Sequence, residues 1–212
     1  MKQLLDTIQL GDLALTSRIA MAPLTRARSG DDGVPGALNA VYYGQRATAG
    51  LIITEATNVS PNSAAFELAP GIYNEAQLAG WRGVTEAVHA VGGRIFMQLW
   101  HSGRASSYAL LQGREPLSPS GVNDDLGLLQ VYGALRNGTY TRIAASPSRA
   151  MTTEEVYAAV AEFRTGAVNA VRAGLDGVEI HAANGYLIQQ FLSPAVNRRT
   201  DEFGGSLENR LR

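Results

Sequence analysis

Four short apolar runs punctuate the chain: Arg18–Ala22, Leu51–Thr54, Arg94–Leu99 and Gly177–Ile180. Each is continuous rather than alternating, the pattern of a strand covered on both faces. Ahead of them, Ile8, Leu10, Leu13 and Leu15 alternate around Gly11-Asp12 and predict a small β-hairpin. Between the runs the apolar spacing becomes helical. Residues 37–49 place Leu38, Val41 and Tyr42 on one face, with Gly50 as the stop. Residues 75–91 repeat Leu78, Trp81, Val84 and Val88 behind a capping box of Asn74 and Gln77, and Gly92-Gly93 ends them. Thr152 and Glu155 form a second box before a helix expected to bury Val156, Val160, Phe163, Ala167 and Val171 and to end at Gly174. Gly205 to Arg210 reads as the cap and first turn of another helix.

Strand and helix alternate four times, which predicts an α/β fold of parallel βα units, either a doubly wound sheet or a (βα)8 TIM barrel. Polar residues stand just after the strands: Thr25, Glu55, Gln98 with Trp100, and His181. Chemistry at the carboxyl ends of several strands is the habit of the barrel. A dinucleotide binder would want G-x-G-x-x-G after its first strand, where this chain has Pro23-Leu24-Thr25-Arg26. The barrel is the stronger reading. Residues 1–212 are expected to form a single domain, the amino-terminal half of such a barrel. Residues 102–150, rich in Gly, Ser and Pro, are expected to be a lid or capping insertion.

Composition narrows the function. Of 212 residues, 45% are hydrophobic and 17% charged, with a net charge of -1, which leaves no footprint for nucleic acid. No apolar run approaches the ~20 residues that span a bilayer. The start, Met1 to Asp6, does not resemble a secretory signal. There is no cysteine, and His89, His101 and His181 lack ligand spacing, so no metal site is expected and a cytoplasmic protein is. His89 reads as a surface residue, and the doublets Asp31-Asp32 and Asp124-Asp125 as solvated turns. His101 and Arg104 read as ties between the third strand and the lid.

The segment Gly177 to Tyr186 carries the most chemistry. A strand runs into a loop with His181, Asn184 and Tyr186 at i, i+3 and i+5, and Gly185 permits a tight turn. Two neutral donors and one phenol can polarise a carbonyl oxygen while a proton is delivered nearby. This trio offers no carboxylate and no thiolate, so metal hydrolysis and thiol chemistry fit poorly.

Several motifs then stand in order: Met21-Ala22-Pro23-Leu24-Thr25-Arg26, Thr54-Glu55-Ala56, Ala69-Pro70-Gly71, Gln98-Leu99-Trp100-His101-Ser102-Gly103-Arg104, His181-Ala182-Ala183-Asn184-Gly185-Tyr186, Gln190-Phe191-Leu192-Ser193-Pro194, and Asn197 to Ser206. Through them the chain resembles the Old Yellow Enzyme family, the FMN-dependent ene-reductases, from end to end. The resemblance implies FMN as cofactor and NAD(P)H as reductant. It implies reduction of the C=C bond of small-molecule α,β-unsaturated carbonyl or nitro substrates.

Position by position, the resemblance places Pro23, Leu24 and Thr25 along the flavin, with the Thr25 hydroxyl on its O4/N5 edge. It gives Ala56 a backbone contact to that edge and Gln98 the pyrimidine side. His181 and Asn184 would clamp the substrate oxygen, His181 also bordering the flavin, and Tyr186 would donate the proton. Trp100 and Phe66 would shape the pocket, although without the family both read more often as core residues than as pocket walls. Many relatives carry a second His where Asn184 stands. Against the family pattern, four further βα units with the phosphate-binding loops would be needed. A complementary carboxyl-terminal half-barrel chain or a homo-oligomer is therefore expected. The alternative is a non-catalytic half-barrel that binds FMN only with such a partner.

Overall fold

The computed structural model describes residues 3–30 and 32–212; Met1 and Lys2 of the amino-terminal segment, and Asp31 of the expected turn, lie outside the described residues. In chain order the elements are β1 (Ile8–Leu10), β2 (Leu13–Leu15), β3 (Ala20–Met21), α1 (Ala37–Gly44), β4 (Leu51–Ile53), β5 (Thr57–Asn58), α2 (Glu75–His89), β6 (Ile95–Trp100) and β7 (Leu117–Ser118). They continue with β8 (Tyr132–Ala134), β9 (Tyr140–Arg142), β10 (Arg149–Ala150), α3 (Thr153–Arg172), β11 (Gly177–Ile180), α4 (Leu187–Leu192) and α5 (Leu207–Leu211). Contacts group them into two units. The first holds residues up to Asn58 with Leu68–Leu99 and Thr165–Ile180, and the second holds Val59–Glu67, Trp100–Arg164 and His181–Arg212.

The first unit is built on a parallel sheet ordered β3-β4-β6-β11, with β5 also pairing β6. Each new strand joins beside its predecessor, and the order never reverses. A doubly wound sheet reverses at its switch point, so the four apolar runs are laid down in the manner of a barrel wall. The sheet is not closed, and β3 and β11 are its edges. Register sets Gly177 beside Phe96 and Glu179 beside Gln98. A Cβ on Gly177 would lie 2.6 Å from the Phe96 ring, so any larger residue there would have to displace that ring.

Helix α2 packs as its spacing predicts. Leu78, Trp81, Val84 and Val88 are at most 2% exposed. Asn74 Oδ1 accepts from the Gln77 N–H at 2.8 Å, while Gln77 reaches back one residue beyond the box to the Tyr73 N–H. Helix α1 corrects the sequence reading. It ends at Gly44, and it buries Asn39 and Tyr43. Leu38 and Val41 are exposed instead. The reason is polar, because the Tyr43 hydroxyl accepts the Glu55 N–H at 2.9 Å and so turns that face inward.

The second unit is organised around Leu117, Met151, Val156, Ala159, Leu187 and Phe203, with Phe191 against them. The 102–150 stretch holds an antiparallel hairpin, β8-β9, and a parallel pair, β7-β10. The Thr152–Glu155 box forms reciprocally, at 2.9 and 3.2 Å. Along α3 the expected face is partly wrong. Val156 is buried, but Val160 is 58% and Val171 68% exposed, as are Val168 and Tyr157 by about half. The residues of the helix that are buried instead include the small Ala159 and Ala170. Ser206 caps α5 by accepting the Asn209 N–H. Among the described residues no helix is long and apolar enough to cross a membrane.

Candidate functional site

In the first unit the loop after β3 is set by a buried carboxylate. Glu55, 1% exposed, accepts the N–H groups of Arg26 and Ala27 at 2.8 and 3.1 Å and the Tyr43 hydroxyl at 3.3 Å. Ala27 takes a left-handed conformation there, with φ 50°. Burial raises the carboxyl pKa of Glu55, opposed by the two backbone donors. Pro23 and Thr25 lie half-buried just ahead of this anchor. Leu24 is exposed and lines an open cleft of about 660 Å³ together with Met21, Tyr42 and Arg46. Ala56 follows Glu55 directly and is buried.

Gln98 projects from β6 and is 7% exposed. Its Nε2 donates to Glu179 Oε1 on the neighbouring strand at 2.7 Å. Glu179 stands on the strand just ahead of the His181, Asn184 and Tyr186 trio, and sequence reasoning gave it no role. With one N–H committed, the Gln98 carboxamide keeps one donor and one acceptor. A planar ring with an imide edge, such as a flavin's pyrimidine, asks for that pair, so the donor set fits FMN.

In the second unit, His181, Tyr186, Trp100 and Phe66 come together. The His181 and Tyr186 rings meet edge to face at 5.0 Å, Tyr186 and Trp100 likewise at 5.0 Å, and Trp100 lies 5.8 Å from Phe66. Tyr132 of β8 stacks on Phe66 at 5.2 Å and 8°. His181 Nδ1 accepts the Ala183 N–H at 3.3 Å, so the proton of the neutral ring sits on Nε2. Burial raises the Tyr186 pKa, with a smaller push from Tyr132, and the phenol therefore keeps its proton. Trp100 is fully buried and its indole N–H has no hydrogen-bond partner. Asn184 is exposed and left-handed, with φ 57°, and Gly185 follows at 77°.

A frame that sequence reasoning left without a role holds this loop. Gln190, 2% exposed, donates to the carbonyls of Ser102 and Gly185 at 3.0 and 2.7 Å and accepts the Arg104 N–H at 3.2 Å. One carboxamide thereby ties the exit of β6 to the 181–186 loop. Gly103 makes room for it, since a Cβ there would lie 2.2 Å from Gln190 Oε1. Arg104 pairs with Asp125 through both nitrogens, at 2.5 and 2.7 Å, and donates to the Val122 carbonyl. Asp125 is therefore an anchor of the 102–150 segment and not the solvated turn expected of it. His101 accepts the Gly103 N–H, and burial lowers its pKa to about 4. His89 is exposed, as expected, and pairs there with Asp176 at 2.9 Å. Glu55 and Glu179 were visible as acids at strand ends, but their partners lie 29 and 81 residues away, beyond any local spacing. No group of three or more His, Cys, Asp or Glu suited to a metal occurs among the described residues.

The chain is similar to known flavin oxidoreductases. The flavin oxidoreductase hxnT of Emericella nidulans is 44% identical over 217 residues, covering 100% of this chain and 54% of that protein. The 12-oxophytodienoate reductase 1 of Oryza sativa is 43% identical, covering 99% and 52%. Among solved structures, morphinone reductase in complex with tetrahydroNAD superposes with a TM-score of 0.92 at 49% identity, covering 98% of this chain and 56% of that one. The chain spans about half the length of the curated relatives it matches. The model of the NADH:flavin oxidoreductase / NADH oxidase family matches residues 3–212, and the chain belongs to that family.

Proposed function

We propose that this chain carries the substrate-activating residues of an FMN-dependent ene-reductase that draws electrons from NAD(P)H. The observation that carries the reading is the His181–Tyr186 pair, an imidazole with its proton on Nε2 at 5.0 Å from a phenol held protonated by burial. FMN, when bound, supplies the hydride for the β-carbon of an α,β-unsaturated carbonyl or nitro compound. His181 and Asn184 hold the substrate oxygen and take up the charge that develops on it. Tyr186 gives its proton to the α-carbon, so that one hydride and one proton add across the C=C bond. Trp100 and Phe66 wall the pocket and exclude water. Pro23, Leu24, Thr25, Ala56 and Gln98 face the flavin, and residues 102–150 act as the lid of a single domain. The absence of cysteine suits work in the cytoplasm.

A second reading rests on the exposed apolar positions Val160, Val168, Val171 and Ile180. It makes the chain a half-barrel that binds FMN only with a complementary carboxyl-terminal chain or a second copy of itself. One experiment separates the two. Titration of the chain with FMN by calorimetry, with its mass measured in solution, gives tight binding by a monomer on the first reading. No binding until a partner is added supports the second. On a flavin-loaded protein, Tyr186→Phe should slow enone reduction by ~10²–10⁴-fold while leaving flavin reduction by NAD(P)H nearly unchanged. Equal slowing of both half-reactions removes Tyr186 from the role.

A further inference from the structure

We infer that Glu179 is a positioning residue that fixes which end of the Gln98 carboxamide faces the ligand, and with it the sense in which this site reads an imide edge. The inference deepens the flavin reading above and rests on it for the identity of the ligand.

Gln98 and Glu179 are register partners on adjacent parallel strands, so their side chains leave the same face of the sheet side by side. The contact is 2.7 Å from Nε2 to Oε1, at the short end of the range for a charge-assisted bond. An ionised carboxylate only accepts hydrogen bonds, whereas the two ends of a carboxamide differ, one donating and one accepting. Turning Gln98 over would set its oxygen against the oxygens of Glu179. A bond of this kind biases the two orientations by roughly ten- to a hundredfold. The backbone is fixed as well, because the Gln98 N–H donates to Thr54 Oγ1 at 3.1 Å. With Nε2 turned toward β11, Oε1 and the second N–H stand in one order along the strand. A ring presenting N–H beside C=O is read in one sense and not its mirror. Isolated glutamines at binding sites lack this property, and a neutral neighbour in place of Glu179 would not impose it.

The test has two arms, both on Glu179→Gln, which keeps size and removes the charge. The first needs no flavin. In a ¹⁵N-edited NMR spectrum, the Gln98 side-chain NH₂ pair, assigned by its loss in Gln98→Leu, should have one proton shifted downfield and protected from exchange in the wild type. In Glu179→Gln that signature should vanish while the thermal midpoint stays within a few degrees. The second arm compares FMN with N3-methyl-FMN. The wild type should favour FMN by ~10-fold or more, and Glu179→Gln should narrow that ratio to within ~3-fold. The steric cost of the methyl group is common to both proteins, so the change in ratio isolates orientation; a merely structural role weakens both ligands equally. An unchanged NH₂ signature or an unchanged ratio overturns the inference. A wild type that shows the NH₂ signature yet binds neither flavin, even with a complementary carboxyl-terminal half-barrel added, overturns the flavin reading and leaves Glu179 as the residue that orients Gln98.

Discussion

Ile52, Trp81, Val84, Val88, Ile95 and Met97, all in the first unit, are fully buried, and apolar contact between sheet and helices accounts for its packing. The second unit leans on polar side chains that each tie several segments together. Arg199 reaches Asp201 and the carbonyls of Pro119 and Met151, and Asn197 donates to the carbonyls of Phe191 and Phe203. Gln190 and Arg104 do the same for the loops around His181 and Tyr186. Hydrocarbon packing is non-directional and tolerates small shifts. A hydrogen-bond frame fixes positions and fails when one member is removed. The chemistry-bearing loop therefore sits in the unit whose geometry is the more sharply specified, while the sheet supplies bulk stability.

The contrast breaks most directly at Trp81. Trp81→Ala should cost about 3–5 kcal/mol in urea unfolding, because it empties a fully buried site and strands the Gly71 carbonyl that the indole N–H serves at 3.0 Å. A loss below about 1 kcal/mol would show that the first unit does not depend on its apolar packing.

Acid should act next, and on the second unit. Burial holds His101 neutral, with a pKa of about 4 against an ordinary 6.5. Between those values the unfolded chain takes up a proton that the folded one refuses, so stability falls as pH drops from 6.5 to about 4 and this contribution changes no further below that. The full effect is on the order of 3 kcal/mol. Hydrogen exchange followed across that window should show protection lost around residues 101–107 first, and His101→Gln should flatten the dependence. Equal loss in both units would erase the distinction.

The mildest probe is Gln190→Leu, which keeps bulk and removes the hydrogen bonds. It should cost about 1–3 kcal/mol, since the exposed Gly185 can recover water. Affinity for a phenolic ligand on a flavin-loaded protein should fall more than stability does. Unchanged phenol affinity would show that the frame does not position His181.

Much of this was legible along the chain because it is local. The caps at Asn74, Thr152 and Ser206 and the buried face of α2 depend on residues within four positions of one another. So does the strand-to-loop passage at His181. The inward face of α1 was not legible, since it follows a hydroxyl's bond to Glu55 rather than the apolar pattern of Leu38 and Val41. Val160 and Val171 misled for a related reason: spacing marks an apolar stripe but cannot tell which side has a neighbour. Glu179 and Gln190 gain their meaning only from partners on other elements, joined through sheet register and loop packing.

One detail of the 181–186 loop bears on which sequences can replace this one. Asn184 sits at φ 57°, a conformation that most side chains resist. Gly, Asn, Asp and His are the residues that enter it with least penalty. On the proposed function a second sieve acts on that short list, because the position would have to donate a hydrogen bond to a substrate oxygen. Glycine has no side chain to do so, and an ionised aspartate only accepts. Asn and His pass both sieves. Asn and His are thus the pair that the backbone permits before chemistry chooses. A library at position 184 would be expected to return two working answers out of twenty, and to return more only if the loop were first rebuilt to take φ out of the left-handed region.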